Sequence, residues 1–388
     1  MVEFQRICED QKDLSDSVIQ GLDLRDMAAY LTSVSVRGAV FLGCIIPDTL
    51  SPHLQKGGAT IFPRFENVPY SPYRATLYTP EELFAGFDAS DPYSYCHTPD
   101  ALVYEHWVKT GRSNPNNIVE TLARRLHDHA ITDAMREFIG AGALQRQAVS
   151  VMGGHSLLRS DNIYAEVSRI ARALTRAGYL MTSGGGPGAM EATHLGAWFA
   201  DRKDEELEQA LNMLSKAPHY KDLHWLAAAY KVRQSFPPPG QNHISLGIPT
   251  WLYGHEPPNP FASHIAKYFA NSVREDGLVT IARYGIIFAP GGAGTIQEIF
   301  QDATQNRYAT MGEISPMIFL GTEFWTKTKP VYPLLSYLAQ GKEYAALITI
   351  LDEVEDVVSY IQHTPPKQVA GSDWSFCAAY GVKAQPEL

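Results

Sequence analysis

Residues 286–300 read IIFAPGGAGTIQEIF, and this stretch decides which fold we expect the chain to adopt. An apolar run ends at Pro290, three glycines follow within four positions, and a helical pattern begins directly afterwards. A strand, glycine turn and helix of this kind can bind an anion, because the first N–H groups of a helix are unpaired and glycine lets the backbone approach closely. The pattern also suits a tight turn that needs positive φ angles, so one loop alone leaves both interpretations open.

A second strand, glycine loop and helix occur earlier, where the loop SGGGPG occupies residues 183–188. Further apolar strands are expected at 148–154, 243–249 and 315–321, with helical patterns between them. This alternation predicts a parallel sheet with helices on both faces, and ligands bind such sheets at the carboxyl ends of the strands. We therefore predict an α/β fold whose Rossmann-like parallel sheet carries both glycine loops at one edge.

The chain of 388 residues changes character near residue 145, which predicts two domains. Residues 1–145 are expected to form a smaller N-terminal α/β accessory domain of unknown role, and no internal repeat is evident. Residues 146–365 are expected to form the Rossmann-like domain, followed by a C-terminal tail at 366–388. Residues 201–241 interrupt the alternation, so we predict a helical insertion that is either a lid over the site or a contact between subunits.

The composition argues against several classes of function. The formal net charge of −10 disfavours a binder of nucleic-acid polymers or of anionic membranes. The apolar runs are too short to cross a bilayer, and four scattered cysteines are typical of reduced thiols in a cytoplasmic protein. The segment LHDH at 126–129 is interpreted as a solvated helix face rather than as a metal site. We expect a cytoplasmic protein that needs neither a metal nor a cofactor.

Two common phosphate-binding motifs fit these loops poorly. A nucleoside triphosphate P-loop requires Gly-Lys-Ser/Thr at its end, and no Lys occupies that place after either loop. Gly184, Gly186 and Ala189 match the dinucleotide pattern G-x-G-x-x-A, but they follow the second strand of the domain rather than the first. Hydride transfer is therefore a minor hypothesis.

Several segments resemble one protein family. PGGAGTIQE at 290–298 resembles the PGG-x-GT-x-x-E signature of the LONELY GUY (LOG) family, and SGGGPGAMEA at 183–192 is similar to its GGG-x-G-x-M-E motif. VMGGHS at 151–156 and HEPPNP at 255–260 are similar to segments of the longer bacterial members, the nucleotide 5′-monophosphate nucleosidases. The resemblance covers about residues 147–362. It implies an enzyme that hydrolyses the N-glycosidic bond of a nucleoside 5′-monophosphate to free base and ribose 5-phosphate, and that forms a homodimer or larger homo-oligomer.

The resemblance also implies a set of site residues. The family's catalytic Glu corresponds to Glu298, and its catalytic Arg corresponds to Arg274, with Arg283 as the alternative. A carboxylate can stabilise the oxocarbenium-like state of glycosidic cleavage, and an Arg can hold a phosphate or the departing base. Contacts with the phosphate and the nucleotide are expected from Gly154, His155, Ser183, Gly184, Gly185, Gly186, Gly188, Met190, Glu191, Gly291, Gly292, Gly294 and Thr295.

Simpler interpretations of the same residues remain open at this stage. Thr295 and Glu298 match a capping box, in which Glu298 would accept a hydrogen bond from the N–H of Thr295. Glu191 suits a helix dipole, Met190 suits a core, and His155 suits a polar loop. The alternative function is a nucleotide- or cofactor-binding carrier or regulatory protein without turnover. The sequence leaves the preferred base open.

Overall fold

The computed structural model describes residues 2–4 and 12–369, so residues 370–388 of the predicted tail lie outside the described residues. The chain divides into two compact units. The first unit contains the residues up to Arg146 together with Gly247–Arg274. The second unit contains Gln147–Leu246 and the residues from Glu275 onward.

The elements are numbered in chain order. The strands are β1 (Val2–Phe4), β2 (Ser17–Gln20), β3 (Val40–Leu42), β4 (Thr60–Phe62), β5 (Ala148–Met152), β6 (Leu180–Ser183), β7 (Ser245–Gly247), β8 (His264–Ile265), β9 (Ile286–Phe288), β10 (Glu313–Ile314), β11 (Met317–Leu320), β12 (Ile348–Leu351) and β13 (Lys367–Gln368). The α-helices are α1 (Ala28–Leu31), α2 (Ser51–Lys56), α3 (Pro80–Leu83), α4 (Pro99–Lys109), α5 (Ile118–Ile139), α6 (Asn162–Arg176), α7 (Ala189–Trp198), α8 (Asp204–Leu214), α9 (Trp225–Ser235), α10 (Asn271–Ile281), α11 (Ala293–Tyr308), α12 (Val331–Ala339) and α13 (Val354–His363). A π-helix occupies Phe324–Thr328. None of the helices in the described part of the chain is both long and apolar enough to cross a membrane.

The first unit contains a four-stranded parallel sheet in the order β1-β2-β3-β4. From β2 to β3 each residue pairs with the residue 22 positions later, as Ile19 does with Phe41, and the isolated bridge between Asp13 and Ser35 has the same offset. From β3 to β4 the offset is 20, as between Val40 and Thr60, so the successive strand pairs are not equally spaced in sequence.

The helices of the first unit follow local capping signals. Thr79 accepts a hydrogen bond from the N–H of Glu82 at 3.2 Å and so caps the start of α3. Asn117 caps helix α5 in the same way, by accepting from the N–H of Glu120 at 2.8 Å. The LHDH segment of α5 is not a solvated face, since His127 and Asp128 are both buried. Burial lowers the pKa of His127, whose Nε2 lies 2.8 Å from the hydroxyl of Tyr78.

The seven-stranded sheet has the order β12-β11-β9-β5-β6-β7-β8. Starting from β5, the chain adds β6 and β7 on one side and then returns to add β9, β11 and β12 on the other. This is the Rossmann strand order, and the predicted α/β fold is confirmed. Strands β5, β6, β9 and β11 are completely buried, as expected for parallel strands covered by helices on both faces. The strand order reverses between β5 and β9, so the loops after these two strands flank the crevice where such folds bind ligands.

Candidate functional site

Three loops meet at the carboxyl ends of the neighbouring strands β9, β5 and β6. The N–H of Gly154, after β5, donates to the carbonyl oxygen of Pro290, after β9, at 3.0 Å. The carbonyl oxygen of Gly154 accepts from the N–H of Ala189, which begins α7 after β6, at 3.2 Å. The two predicted glycine loops are therefore joined through the loop after β5 into one backbone surface.

The glycines of these loops serve two different purposes. Gly188 has a φ of +70°, and a Cβ at this position would lie 2.2 Å from the carbonyl oxygen of Gly154, so the close packing of the loops requires glycine. By contrast, a Cβ on Gly292 or Gly294 would meet no other described atom within 4 Å. Open space therefore borders the N-terminus of α11, whose first N–H groups have no intrahelical partner and favour an anion.

The start of α11 separates the two interpretations of Glu298. The N-cap of this helix is Gly292, so Thr295 is the third helical residue and not a cap. Thr295 is buried, and its hydroxyl oxygen would lie 2.1 Å from a Cβ on Gly291. The capping-box interpretation is therefore wrong. Glu298 lies in the second turn and is half-buried. Because helical side chains lean toward the N-terminus of their helix, its carboxylate is expected near the glycine loop.

Ser183 is buried and shapes the glycine loop from the inside. Its hydroxyl oxygen accepts from the N–H of Gly185 at 3.1 Å and lies 2.8 Å from Nε2 of His194. The other ring nitrogen of His194 lies 2.9 Å from the hydroxyl of Ser245. Burial lowers the pKa of His194 to about 3, so the imidazole is neutral at physiological pH. Ser183, predicted as a phosphate contact, thus has internal partners that hold the loop in shape.

Glu191 is completely buried and paired with Arg159. The two groups form a bidentate ion pair, with Nε–Oε2 and Nη2–Oε1 distances of 2.8 and 2.5 Å. The Tyr164 hydroxyl donates to the same carboxylate at 2.8 Å. Burial and the adjacent carboxylate raise the pKa of Tyr164 well above its usual value. The carboxylate of Glu191 therefore stabilises the fold behind the loop. Sequence reasoning missed Arg159 and Tyr164, because neither lies in a recognisable motif.

The helical insertion is attached to this buried pair. The Nη1 of Arg159 donates to the carbonyl oxygens of Ala217 and Trp225 at 3.3 and 2.9 Å. The ring of Tyr220, in the same insertion, contacts the ring of His155 edge-on at a centroid distance of 5.8 Å. The insertion, predicted as either a lid or a subunit contact, therefore packs beside the loop after β5.

The predicted contacts Met190 and His155 are both accessible. Met190 is the one residue between positions 181 and 200 that is not fully buried. His155 is exposed on the loop after β5. Both side chains can therefore meet a ligand at this edge of the sheet.

A lysine that the sequence analysis did not select lies against the second glycine loop. The Nζ of Lys329 donates to the carbonyl oxygen of Gly291 at 2.6 Å. Lys329 is half-buried and follows the π-helix after β11. It brings a positive charge next to the second glycine loop, and no spacing rule links it to Gly291, which lies 38 positions earlier in the sequence.

The two candidate arginines differ in their surroundings. Arg274 is buried in the first turn of α10, and its Nε donates to the carbonyl oxygen of Ile248 at 2.8 Å. Arg283 forms an ion pair with Glu313 of β10, which also accepts from the amide of Gln368 at 2.7 Å. Within the described residues, no group of three or more His, Cys, Asp or Glu side chains could hold a metal ion.

The comparisons with known proteins assign no family to this chain. No family model matches the chain, and no curated protein matches it. Among solved structures, the chain is similar to the molybdenum cofactor binding protein from the phototrophic bacterium Rippkaea orientalis, at 13% identity over 57% of this chain and 98% of that chain, with a TM-score of 0.35. It is also similar to the molybdenum cofactor carrier protein from Chlamydomonas reinhardtii, in one structure at 13% identity over 56% of this chain and 97% of that chain with a TM-score of 0.35. A second structure of that protein gives 14% identity over 56% and 96%, with a TM-score of 0.36. A likeness at this identity and TM-score assigns no function to this chain. The resemblance to the LOG family is therefore one of motifs.

Proposed function

We propose that the second unit binds the phosphate of a nucleotide at the joined loops after β9, β5 and β6. The observation that carries this proposal is the open N-terminus of α11 behind Gly292 and Gly294, at the point where the strand order reverses. Helix N–H groups supply the donors that a phosphate requires. Lys329 adds a positive charge beside the same loop. The ligand in this proposal is a nucleoside 5′-monophosphate.

The proposed reaction is hydrolysis of the N-glycosidic bond of that nucleotide. Water adds to C1′ of the ribose, the bond from C1′ to the base nitrogen breaks, and the base leaves with a proton, so that ribose 5-phosphate and free base are formed. Glu298 is proposed to stabilise the positive charge that develops on the ribose, and to orient the water. This role is supported by the position of Glu298 in the second turn of α11, where it does not serve as a cap.

Arg274 is the proposed partner of Glu298, as a clamp for the nucleotide. Arg283 is the weaker alternative because the carboxylate of Glu313 already neutralises its charge, whereas Arg274 donates to the uncharged carbonyl of Ile248. The proposal uses no metal and no redox cofactor. A homodimer or larger homo-oligomer in the cytoplasm remains part of the proposal.

The second candidate function is a carrier or regulator that binds a nucleotide or related cofactor without turnover. It is favoured by the internal partners of Ser183 and Glu191, which leave the loops to bind chiefly through backbone N–H groups. Backbone donors are sufficient for binding, whereas catalysis requires groups that act on the transition state. Glu298 is therefore the residue that separates the two candidates.

The test combines turnover and binding on the full-length protein. Purified protein is incubated with a panel of purine and pyrimidine nucleoside 5′-monophosphates, and released base is measured by chromatography. We expect release from at least one nucleotide. Glu298→Gln should bind that nucleotide like wild type and release base at least about 100-fold more slowly. Glu323→Gln, a matched change at an exposed glutamate of the same unit, should leave both quantities unchanged.

Two outcomes would change the assignment. Base release by Glu298→Gln at the wild-type rate removes Glu298 from the mechanism. Saturable binding of nucleotides without release of base by the wild-type protein replaces the hydrolase with the carrier.

A further inference from the structure

The first unit contains a large cavity at the carboxyl edge of its own parallel sheet. Its volume is about 620 Å³, which lies within the range of roughly 300–1,000 Å³ that is typical of small-molecule sites. Gly21 directly follows β2, Gly43 directly follows β3, and Arg64 follows β4 by one residue, and all three line the cavity. Open parallel sheets bind ligands at this edge, so the location is the one where a site is expected.

The cavity wall is aromatic and carries one net positive charge from its arginines and glutamate. Arg74 forms a bidentate ion pair with Glu82, with N–O distances of 2.8 and 2.9 Å, and this pair is neutral overall. Arg64 is exposed on the wall and supplies the remaining charge. The aromatic lining consists of Phe65, Tyr70, Tyr73, Tyr78 and Trp251. Aromatic walls favour a planar ring, and a guanidinium favours a carboxylate or phosphate.

The aromatic wall is held in place by the protein itself. The Tyr73 ring lies against Gly43, where a Cβ would be 2.1 Å from Cδ2 of the ring, and Gly43 has a φ of +60°. The Tyr73 hydroxyl donates to the carbonyl oxygen of Pro63 at 2.9 Å, and burial raises its pKa to about 12. The hydroxyl of Tyr70 donates to Glu120 at 3.1 Å. Rings that are ordered in advance reduce the entropic cost of binding a ligand.

We propose that the first unit has a second small-molecule site, formed entirely by its own residues. Its ligand is a small planar aromatic molecule with a single anionic group. Arg64 binds the carboxylate or phosphate, and the ring packs against the aromatic wall of the cavity. This site uses none of the residues of the proposed nucleotide site, so it does not depend on the proposed hydrolysis.

The test measures binding of small probes to the full-length protein by calorimetry. The probes are two aromatic carboxylates, indole-3-acetate and 4-hydroxybenzoate, and two nucleotides, AMP and UMP. We expect saturable binding of at least one probe. Arg64→Glu should weaken this binding at least about tenfold, since a charge-assisted hydrogen bond is replaced by repulsion. Lys56→Glu, an equal charge reversal at another exposed residue of the same unit, should not change it.

The different probes distinguish a carboxylate ligand from a phosphate ligand, and Arg64→Glu distinguishes binding in this cavity from binding at the proposed nucleotide site. Binding of the carboxylates alone assigns a carboxylate ligand, whereas a second nucleotide equivalent that Arg64→Glu removes assigns a phosphate ligand. Release of base from nucleotides should be the same in Arg64→Glu and wild type. Equal affinity of wild type and Arg64→Glu for every probe overturns the proposal, and so does the absence of binding by all four probes up to about 10 mM.

Discussion

Both units have a cavity or open surface at the carboxyl edge of a parallel sheet, but different chemical groups line the two edges. In the second unit, open space borders the backbone at Gly292 and Gly294, at the N-terminus of α11. In the first unit, Arg64 and a set of aromatic rings line a cavity next to Gly21 and Gly43. A surface of backbone donors suits a compact anion, whereas an aromatic wall suits a planar ring. The same sheet edge therefore supports two kinds of recognition, depending on the loops that follow the strands.

Each edge is also supported by one bidentate Arg–Glu pair, and the two pairs differ in burial. The side chains of Arg159 and Glu191 are 1% and 0% exposed, whereas those of Arg74 and Glu82 are 9% and 46% exposed. A buried charge that loses its partner is strongly destabilising. In the second pair the glutamate is half-exposed, and Arg74 also donates to the carbonyl oxygens of Thr76 and Leu77, which remain when Glu82 is changed. The two edges should therefore respond very differently to the same substitution.

The largest expected effect is on stability. Glu191→Gln should lower the free energy of unfolding by about 3–5 kcal/mol, because Arg159 keeps a buried charge without a counter-ion. Glu82→Gln should lower it by less than about 1 kcal/mol. Urea unfolding followed by circular dichroism measures both values. The double variant Arg159→Met with Glu191→Leu should recover part of the loss, since it leaves no unpaired charge. Equal losses for Glu191→Gln and Glu82→Gln would contradict the difference between the two pairs.

An intermediate effect is expected at the glycines of the nucleotide edge. Gly188→Ala should reduce stability by about 2–3 kcal/mol, because the positive φ is strained and the new Cβ clashes with the backbone at Gly154. It should also abolish nucleotide binding. Gly294→Ala should keep wild-type stability, since its Cβ enters open space. If a phosphate occupies that space, Gly294→Ala weakens nucleotide binding without unfolding the loop. Unchanged nucleotide affinity in Gly294→Ala, measured by calorimetry, would move the phosphate away from α11.

The smallest expected effect concerns the lysine beside the second glycine loop. Lys329→Met should weaken nucleotide binding about fivefold, because the loop loses a charge-assisted hydrogen bond to the carbonyl of Gly291. Lys327→Met is the matched control, since Lys327 is 75% exposed and pairs only at 3.9 Å with Glu323. Calorimetry with the same nucleotide compares the two variants. The same loss of affinity in both would show that Lys329 acts through net charge alone and not through the loop.

Much of the second unit could be predicted from local sequence patterns. Its buried strands are apolar runs, and Val167, Ile170 and Leu174, which lie at helical spacing in the sequence, form a buried face of α6. The first unit was harder to predict. Its strands have only three or four residues. Such short elements produce little periodicity, so neither the four-stranded sheet nor the cavity is evident from the sequence.

Some of the site residues could likewise be identified from local sequence patterns, and others could not. The glycine loops and Glu298 belong to contiguous motifs, so the sequence alone identifies them as candidate site residues. The start of α11 in the structure was needed to decide that Glu298 is a candidate catalyst and not part of a helix cap. Glu191 belongs to a motif as well, yet its role depends on Arg159, which lies 32 positions away in sequence. Lys329 reaches Gly291 across a similar separation. Contacts of this kind depend on side-chain packing between distant elements, which local patterns do not encode.

Local chemistry in the chain was sufficient to specify parallel strands, helix caps and glycine loops, because these depend on neighbouring residues and on backbone conformation. Long-range packing decided which carboxylates form buried ion pairs, as Glu191 does with Arg159, and which remain candidates for binding a ligand. It also created the cavity of the first unit, whose lining extends from Gly21 to Trp251 in sequence. The physical reason is that burial and pairing of charges are properties of the folded interior, where residues far apart in the chain share one low-dielectric environment.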